Sequence, residues 1–264
     1  MTNGEVKHLT VDRLKIEIHQ DTTRVGNAAA QATARAIREL KQENKRLAVI
    51  FATGASQLAT LDALIVRADV PWKEITGFHL DEYVGISENH PASFRHYLRE
   101  RLTERVSMGK FFEIQGDASD LEMICSQYAQ RLQAAQPQLC LLGIGENGHL
   151  AFNDPAEANF SDPFDVKIVG LDTECRRQQV AEGWFSGLEE VPRQAITVTI
   201  PTLMRVPRLI VSVPGPRKAA VVRRTVEEAI STACPATILR HHPDVTVYLD
   251  RDSAAELERP TRAR

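Results

Sequence analysis

Cysteine is scarce: Cys125, Cys140, Cys175 and Cys234 are the only four in 264 residues, and no two form a C-x-x-C pair or a regular framework. That excludes a disulfide scaffold and a cysteine-based metal module, and it reads as reduced thiols in a cytoplasmic protein with no metal site. Long hydrophobic runs are missing as well. No stretch approaches the ~20 apolar residues needed to cross a bilayer, and the opening MTNGEVKHLTVDRLKIEIH is too charged for a signal peptide, so no membrane is expected. Neither sign of charge dominates, with 32 Lys and Arg against 35 Asp and Glu and a net charge of −3. A nucleic-acid partner is therefore not expected, and any anion recognition has to be local. Internal repeats, low-complexity tracts and linkers are also absent, so residues 1–264 read as a single unit.

What is present is an alternation. The runs LAVIF (47–51), ITGFHL (75–80), LCLLGIG (139–145) and RLIVSV (208–213) read as strands, with QAITVTI (194–200) and VTVYLD (245–250) as further ones. Between them, residues 24–43, 57–68, 91–105, 118–135 and 216–230 carry helical patterns, and Pro91 suits a first helical position. Strands alternating with helices predict an α/β fold: three layers, a mostly parallel sheet covered on both faces. Residues 152–190, rich in Asn, Asp, Pro and Glu, break the rhythm with only a short helical candidate near 173–183. A long irregular segment in a compact domain is often a lid, here roughly 156–190.

In a parallel sheet the carboxyl ends of the strands share one edge, where ligands bind. The turns expected there are Thr53-Gly54-Ala55-Ser56, Asp81-Glu82, Glu146-Asn-Gly-His149 and Gly215-Pro-Arg-Lys218. GIGENG (143–148) fits the G-x-G-x-x-G spacing of a dinucleotide loop, but Asn153-Asp154-Pro155 interrupts before the required helix can run. The glycines then shape a catalytic turn, and no nucleotide cofactor is expected. Thr53 to Ser56 opens a helix and can cup a phosphate, although Ser56 as a plain N-cap reads equally well. Lys218 tilts the balance, because a lysine in a first helical turn sits unfavourably at the positive end of the dipole unless an anion lies beside it. Asp81 and Glu82 read either as caps or as a shielded base. His149 reads either as a structural histidine or, with Asp154, as an imidazole–carboxylate relay. Arg240-His241-His242 reads as a helix C-terminal cap.

Together the segments FATGASQLATLDAL, GFHLDEYVGISENHPASFRHYLRERL, LCLLGIGENGHLAFNDP, VPRQAITVTIPTLM, VPGPRKA and ISTACPATILRHHPDVTVYLDRDSAAEL resemble the glucosamine-6-phosphate deaminase (isomerase) family, in family order and over nearly the whole chain. The 6-phosphogluconolactonases share the fold and a Gly-His turn, whereas DEYVG and AFN-acid-Pro belong to the deaminase branch. The resemblance implies a modified Rossmann-like sheet and a hydrolase/isomerase that converts an amino-sugar 6-phosphate to a ketose 6-phosphate with release of ammonia. It implies no metal or organic cofactor, and it leaves room for a homo-oligomer. By motif position, Asp81 would move a proton between C2 and C1, and His149 would help open the ring, assisted by Asp154. Asn147 would stand with these two, and Thr53, Gly54, Ala55, Ser56 and Lys218 would hold the phosphate.

Three positions depart from the pattern. Asp154 replaces the usual Glu, so it is expected to need a backbone shift or a bridging water to reach His149. Asn147 replaces an Asp found in some members. Gly183 of GWF stands where many members carry a phosphate-binding arginine, for which Arg176 or Arg177 is the expected substitute. The competing readings are a phosphosugar lactonase or non-deaminating isomerase on the same fold, and a non-catalytic sugar-phosphate sensor.

Overall fold

A computed structural model describes residues 6–43 and 47–257; residues 1–5, 44–46 and 258–264 of the expected unit, with the start of the charged N-terminal stretch, lie outside them. In chain order the strands are β1 (Lys7–Val11), β2 (Leu14–His19), β3 (Ala48–Phe51), β4 (Thr76–His79), β5 (Asp81–Tyr83), β6 (Lys110–Phe112), β7 (Leu139–Leu142), β8 (Val166–Gly170), β9 (Gln194–Val198), β10 (Arg208–Val213) and β11 (Val245–Asp250). The α-helices are α1 (Thr22–Gln42), α2 (Leu58–Ile65), α3 (Phe94–Leu98), α4 (Leu121–Ala135), α5 (Thr173–Ala181), α6 (Ile200–Met204) and α7 (Ala219–Glu227).

Eight strands form one sheet in the order β1-β2-β11-β10-β7-β3-β4-β6, and all neighbours are parallel except the β1–β2 hairpin. Side chains alternate across it as a pleated strand requires. Ala48, Ile50, Cys140 and Leu142 face one core with α4 and α7, whereas Val49, Phe51, Leu139 and Leu141 face the other with α1 and α2. With both faces covered, the strands read as unbroken apolar runs. The protein is therefore a three-layer α/β fold.

The second sheet departs from the expected alternation. QAITV does not join the parallel sheet: β9 pairs antiparallel with β5 and β8. Asp81 and Glu82, expected in a turn, lie instead in β5, and β8 and α5 lie within the segment expected to be irregular. Helix α3 starts later than expected. Its N-cap is Ser93, so Pro91 falls in the preceding turn, and the helix passes into a wider π-helical turn at Arg99–Thr103. The cause is a cap from outside the helix: the Glu82 carboxylate accepts the Phe94 and Arg95 N–H groups at 3.0 and 2.9 Å. Among the described residues no helix is long and apolar enough to cross a membrane.

Candidate active site

The carboxyl ends of β3, β4, β7 and β10 open into a cavity of about 510 Å³. Its wall includes Thr53, Gly54, Ala55, Ser56, Asp81, His149 and Lys218, together with Gln178, Gln179 and Glu182 from α5 and the residue after it. Two of its turns repeat one device. After β3 the chain passes through Gly54 (φ 87°), and after β10 through Gly215 (φ 96°); each then enters a short 3-10 turn leading into α2 or α7. A left-handed backbone is cheap only for glycine, and each turn leads into a helix entry whose first N–H groups have no intrahelical acceptor. Asp250, at the end of β11, clamps the second turn by accepting the Gly215 N–H at 2.9 Å.

Lys218 is buried, and its ammonium has no hydrogen bond or ion pair among the described residues. Burial lowers its pKa, partly offset by Glu182 and Glu146. Asp81 is the opposite case. It is 6% exposed, and its carboxylate also lacks a hydrogen-bond partner among the described residues. Burial, reinforced by the charge of Glu82, pushes its pKa well above the usual carboxylate range. Both side chains are buried along their length and border the cavity, so a ligand there is the natural partner for each. Two such groups of opposite sign on one cavity wall are therefore the arrangement to be explained.

The turn after β7 contains no helix. Gly145 is required by packing, because a Cβ there would lie 2.2 Å from the His149 ring. Ala151, on the cavity wall, has φ 51°, a left-handed conformation that a non-glycine residue holds only where its surroundings impose it. His149 Nδ1 lies 2.9 Å from Asp154 Oδ1, close but off the ring N–H direction. The Asp154 carboxylate also accepts Asn147 Nδ2 at 2.9 Å and the Asp172 backbone N–H at 3.2 Å. Asp154 thus reaches His149 without a bridging water, despite its short side chain. Burial would raise its pKa, but the contacts with His149, Asn147 and the Asp172 N–H outweigh this and hold it below the usual value.

Asp172 N-caps α5, accepting the Cys175 N–H at 2.6 Å, and its other oxygen accepts Asn147 Nδ2 at 3.0 Å. Burial, then the Asp154 and Asp172 charges, push the Cys175 thiol well up. The ligating atoms of His149, Asp154 and Cys175 lie within 4.8 Å of one another, a spacing that can suit a metal ion. The donor set does not fit one. The Asn147 amide and the Asp172 N–H already point at the carboxylate and would face a cation with positive dipoles.

The α5 contribution was missed in the sequence. Cys175, Gln178, Gln179 and Glu182 recur at i, i+3, i+4 and i+7, a one-sided polar stripe that could have been found. Neither arginine expected to replace the one missing at Gly183 lines the cavity. Arg176 turns its guanidinium to the Leu188 and Val191 carbonyls, and Arg177 is absent from the wall. Arg217 is on the wall. Arg240 donates to Val226 O at 2.7 Å near the end of α7, and the Arg240-His241-His242 cluster closes the 3-10 helix Pro235–His241, with His242 as its C-cap residue.

Comparison with known proteins matches this geometry to a family. The profile described as glucosamine-6-phosphate isomerases/6-phosphogluconolactonase matches residues 20–248. A glucosamine-6-phosphate deaminase from Exiguobacterium sibiricum is 37% identical over 224 residues, covering 83% of this chain and 86% of the relative. A solved monomeric glucosamine-6-phosphate deaminase superposes with a TM-score of 0.84 at 31% identity, covering 91% of this chain and 99% of the other. A 6-phosphogluconolactonase from Shewanella baltica reaches a TM-score of 0.74 at 18% identity, over 92% and 98% of the two chains, a likeness of fold alone. The chain belongs to the glucosamine-6-phosphate isomerase/6-phosphogluconolactonase family.

Proposed function

We propose that the protein catalyses aldose–ketose isomerisation and deamination of an amino-sugar 6-phosphate, converting glucosamine 6-phosphate to fructose 6-phosphate and ammonia. The observation that carries this reading is the pair of ionisable groups of opposite sign, Asp81 and Lys218, that border one cavity without a hydrogen-bond or ion-pair partner among the described residues. A phosphorylated sugar answers both, with an anion for the lysine and an acidic C–H for the carboxylate. Thr53 to Ser56 and Lys218 hold the phosphate, whose binding energy orients the open chain from a distance. His149, with Asp154 and Asn147 behind it, moves the proton that opens the ring. Asp81 then takes the proton from C2 and returns it to C1, and its raised pKa suits a group that must both accept and release a proton. The resulting C2 imine takes up water, ammonia leaves, and the ketose carbonyl remains. No metal or organic cofactor enters these steps.

The chain acts as one unit, with residues 156–190 as the lid. The four cysteines are buried and unbridged, which supports a reducing cytoplasmic setting. A panel of 6-phosphorylated hexosamines, assayed for ammonia and ketose, tests the reading. Hydrolysis of 6-phosphogluconolactone with no ammonia from any amino sugar would replace it with the lactonase.

A further inference from the structure

Among the described residues, Arg217 is the arginine on the cavity wall. Arg95 and Arg99 are held by carboxylates, and Arg176 by carbonyls. Arg217 lines the cavity but makes no hydrogen bond among the described residues. Its Nε lies 3.3 Å from Glu146 Oε1, and its Nη2 lies 3.8 Å from Glu182 Oε1. Both approaches are longer than the 2.7–2.9 Å typical of a charge-assisted hydrogen bond. An exposed arginine can leave its donors to water, and this side chain is 47% exposed. The carboxylates it faces are less free to do so. Glu182 is 7% exposed, and Glu146 Oε1 is buried without a hydrogen bond.

The charges at this end of the cavity then nearly cancel. Lys218 and Arg217 oppose Glu146 and Glu182, so a dianion would meet a region with no net positive side-chain charge. Lys218 alone, with two carboxylates close by, is a poor phosphate site. Glu182 is committed elsewhere: Oε1 accepts Gln178 Nε2 at 2.7 Å and Oε2 accepts Trp184 Nε1 at 3.2 Å. It keeps those bonds if the arginine leaves. Arg217 also sits in the same turn as Lys218, so a side-chain rotation is enough to move its guanidinium.

We propose that Arg217 is a second cationic contact for the substrate's phosphate, resting loosely between Glu146 and Glu182 and drawn off them by the anion. This rests on the amino-sugar phosphate reading. The two carboxylates then act as a selectivity filter: a neutral sugar leaves Arg217 in place, and only a strong anion recruits it. The guanidinium fork matches phosphate oxygens in a way that the Lys218 point charge does not.

The test is calorimetric titration of glucosamine 6-phosphate and of unphosphorylated glucosamine into wild type, Arg217→Ala, Arg217→Gln, Lys218→Ala and Glu146→Gln/Glu182→Gln. Both Arg217 variants should bind the phosphorylated sugar roughly ten- to hundredfold more weakly, with binding of glucosamine unchanged. The Glu146→Gln/Glu182→Gln protein should bind the phosphorylated sugar several-fold more tightly, and adding Arg217→Ala to it should still cost tenfold or more. If that loss disappears in the double-glutamine background, Arg217 only neutralises the glutamates and the proposal is wrong. Loss in Lys218→Ala but not in the Arg217 variants overturns the inference and leaves the phosphate reading standing. Loss in neither would remove the phosphate reading itself.

Discussion

Asp154→Glu restores the residue that family resemblance leads one to expect, and the structure says that it should harm the protein. Asp154 is fully buried and both of its oxygens are engaged: Oδ1 accepts Asn147 Nδ2 and lies 2.9 Å from His149 Nδ1, off the ring N–H direction, and Oδ2 accepts the Asp172 N–H. One added methylene moves the carboxylate along by about 1.5 Å, one C–C bond, into groups already in contact with it. Overpacking of that kind costs about 1–3 kcal/mol in stability. Misplacing the His149 partner by about 1 Å costs ~100-fold in rate. Ammonia release from glucosamine 6-phosphate should therefore fall by about two orders of magnitude, and urea denaturation should show an earlier midpoint at unchanged slope. Faster ammonia release in the variant would refute the reasoning. It would mean that the wild-type pocket serves another substrate and that the direct contact is not the working arrangement.

Asp81→Asn should abolish solvent-deuterium incorporation at C2 while substrate affinity stays within about tenfold, because asparagine keeps the shape without the base; exchange at wild-type rate would pass the role to another group. The same variant should be more stable at neutral pH by about 0.5–2 kcal/mol. A carboxyl whose folded pKa is raised weakens the fold as pH climbs from the unfolded pKa through the folded one, so the gain should vanish below the ordinary carboxylate range. For the same reason the acid limb of wild-type kcat/KM should lie above that range, and a limb near the pKa of free aspartate would contradict the buried, unpaired geometry. Lys218→Ala should weaken phosphorylated ligands by about 1.5–3 kcal/mol in a titration and leave unphosphorylated analogues unaffected. Asp172→Ala should cost about 0.5–2 kcal/mol as a lost N-cap and also lower kcat through Asn147; a stability loss with kcat intact would confine Asp172 to the helix.

The parallel sheet was legible because strands buried on both faces are apolar throughout, and LAVIF, LCLL and RLIVSV show it directly. β8 was not. VKIVG is short, lies among Asn, Asp and Pro, and becomes a strand only because β9 is there to pair with it. β5 was obscured differently. Carboxylates at the end of an apolar run look like caps, and the strand exists because β9 offers Thr197, Ile196 and Ala195 as partners. At the site, the cavity gathers the turns that follow the strands because the topology brings their carboxyl ends together. The α5 residues were harder to place, since a helix with a polar face looks solvated until something covers that face. The covering here is the turn after β7: Gln178 Oε1 accepts the Glu146 N–H at 3.0 Å. Arg217 carried no signal of its own in the sequence, because only the fold places Glu146 and Glu182 around it.

Asp81 and Glu82 show how one short strand can serve two ends. They are adjacent, both acidic and both buried, and the two-residue period of β5 sends their side chains to opposite faces. On one face Glu82 accepts the N–H groups of Tyr83, Phe94 and Arg95 and the Ser93 hydroxyl, with the Arg95 guanidinium alongside. Burial still raises its pKa against those bonds, but every oxygen is occupied, and nothing is left for a substrate. On the other face Asp81 has no such partner and borders the cavity. Exchanging the two roles would require moving the N-terminus of α3 across the strand. The network around Glu82 therefore fixes the backbone on which Asp81 stands, a carboxylate with no hydrogen bond of its own among the described residues. A base needs that position without the bonds that would stabilise its charge, and the strand provides it by assigning the bonds to the neighbouring residue.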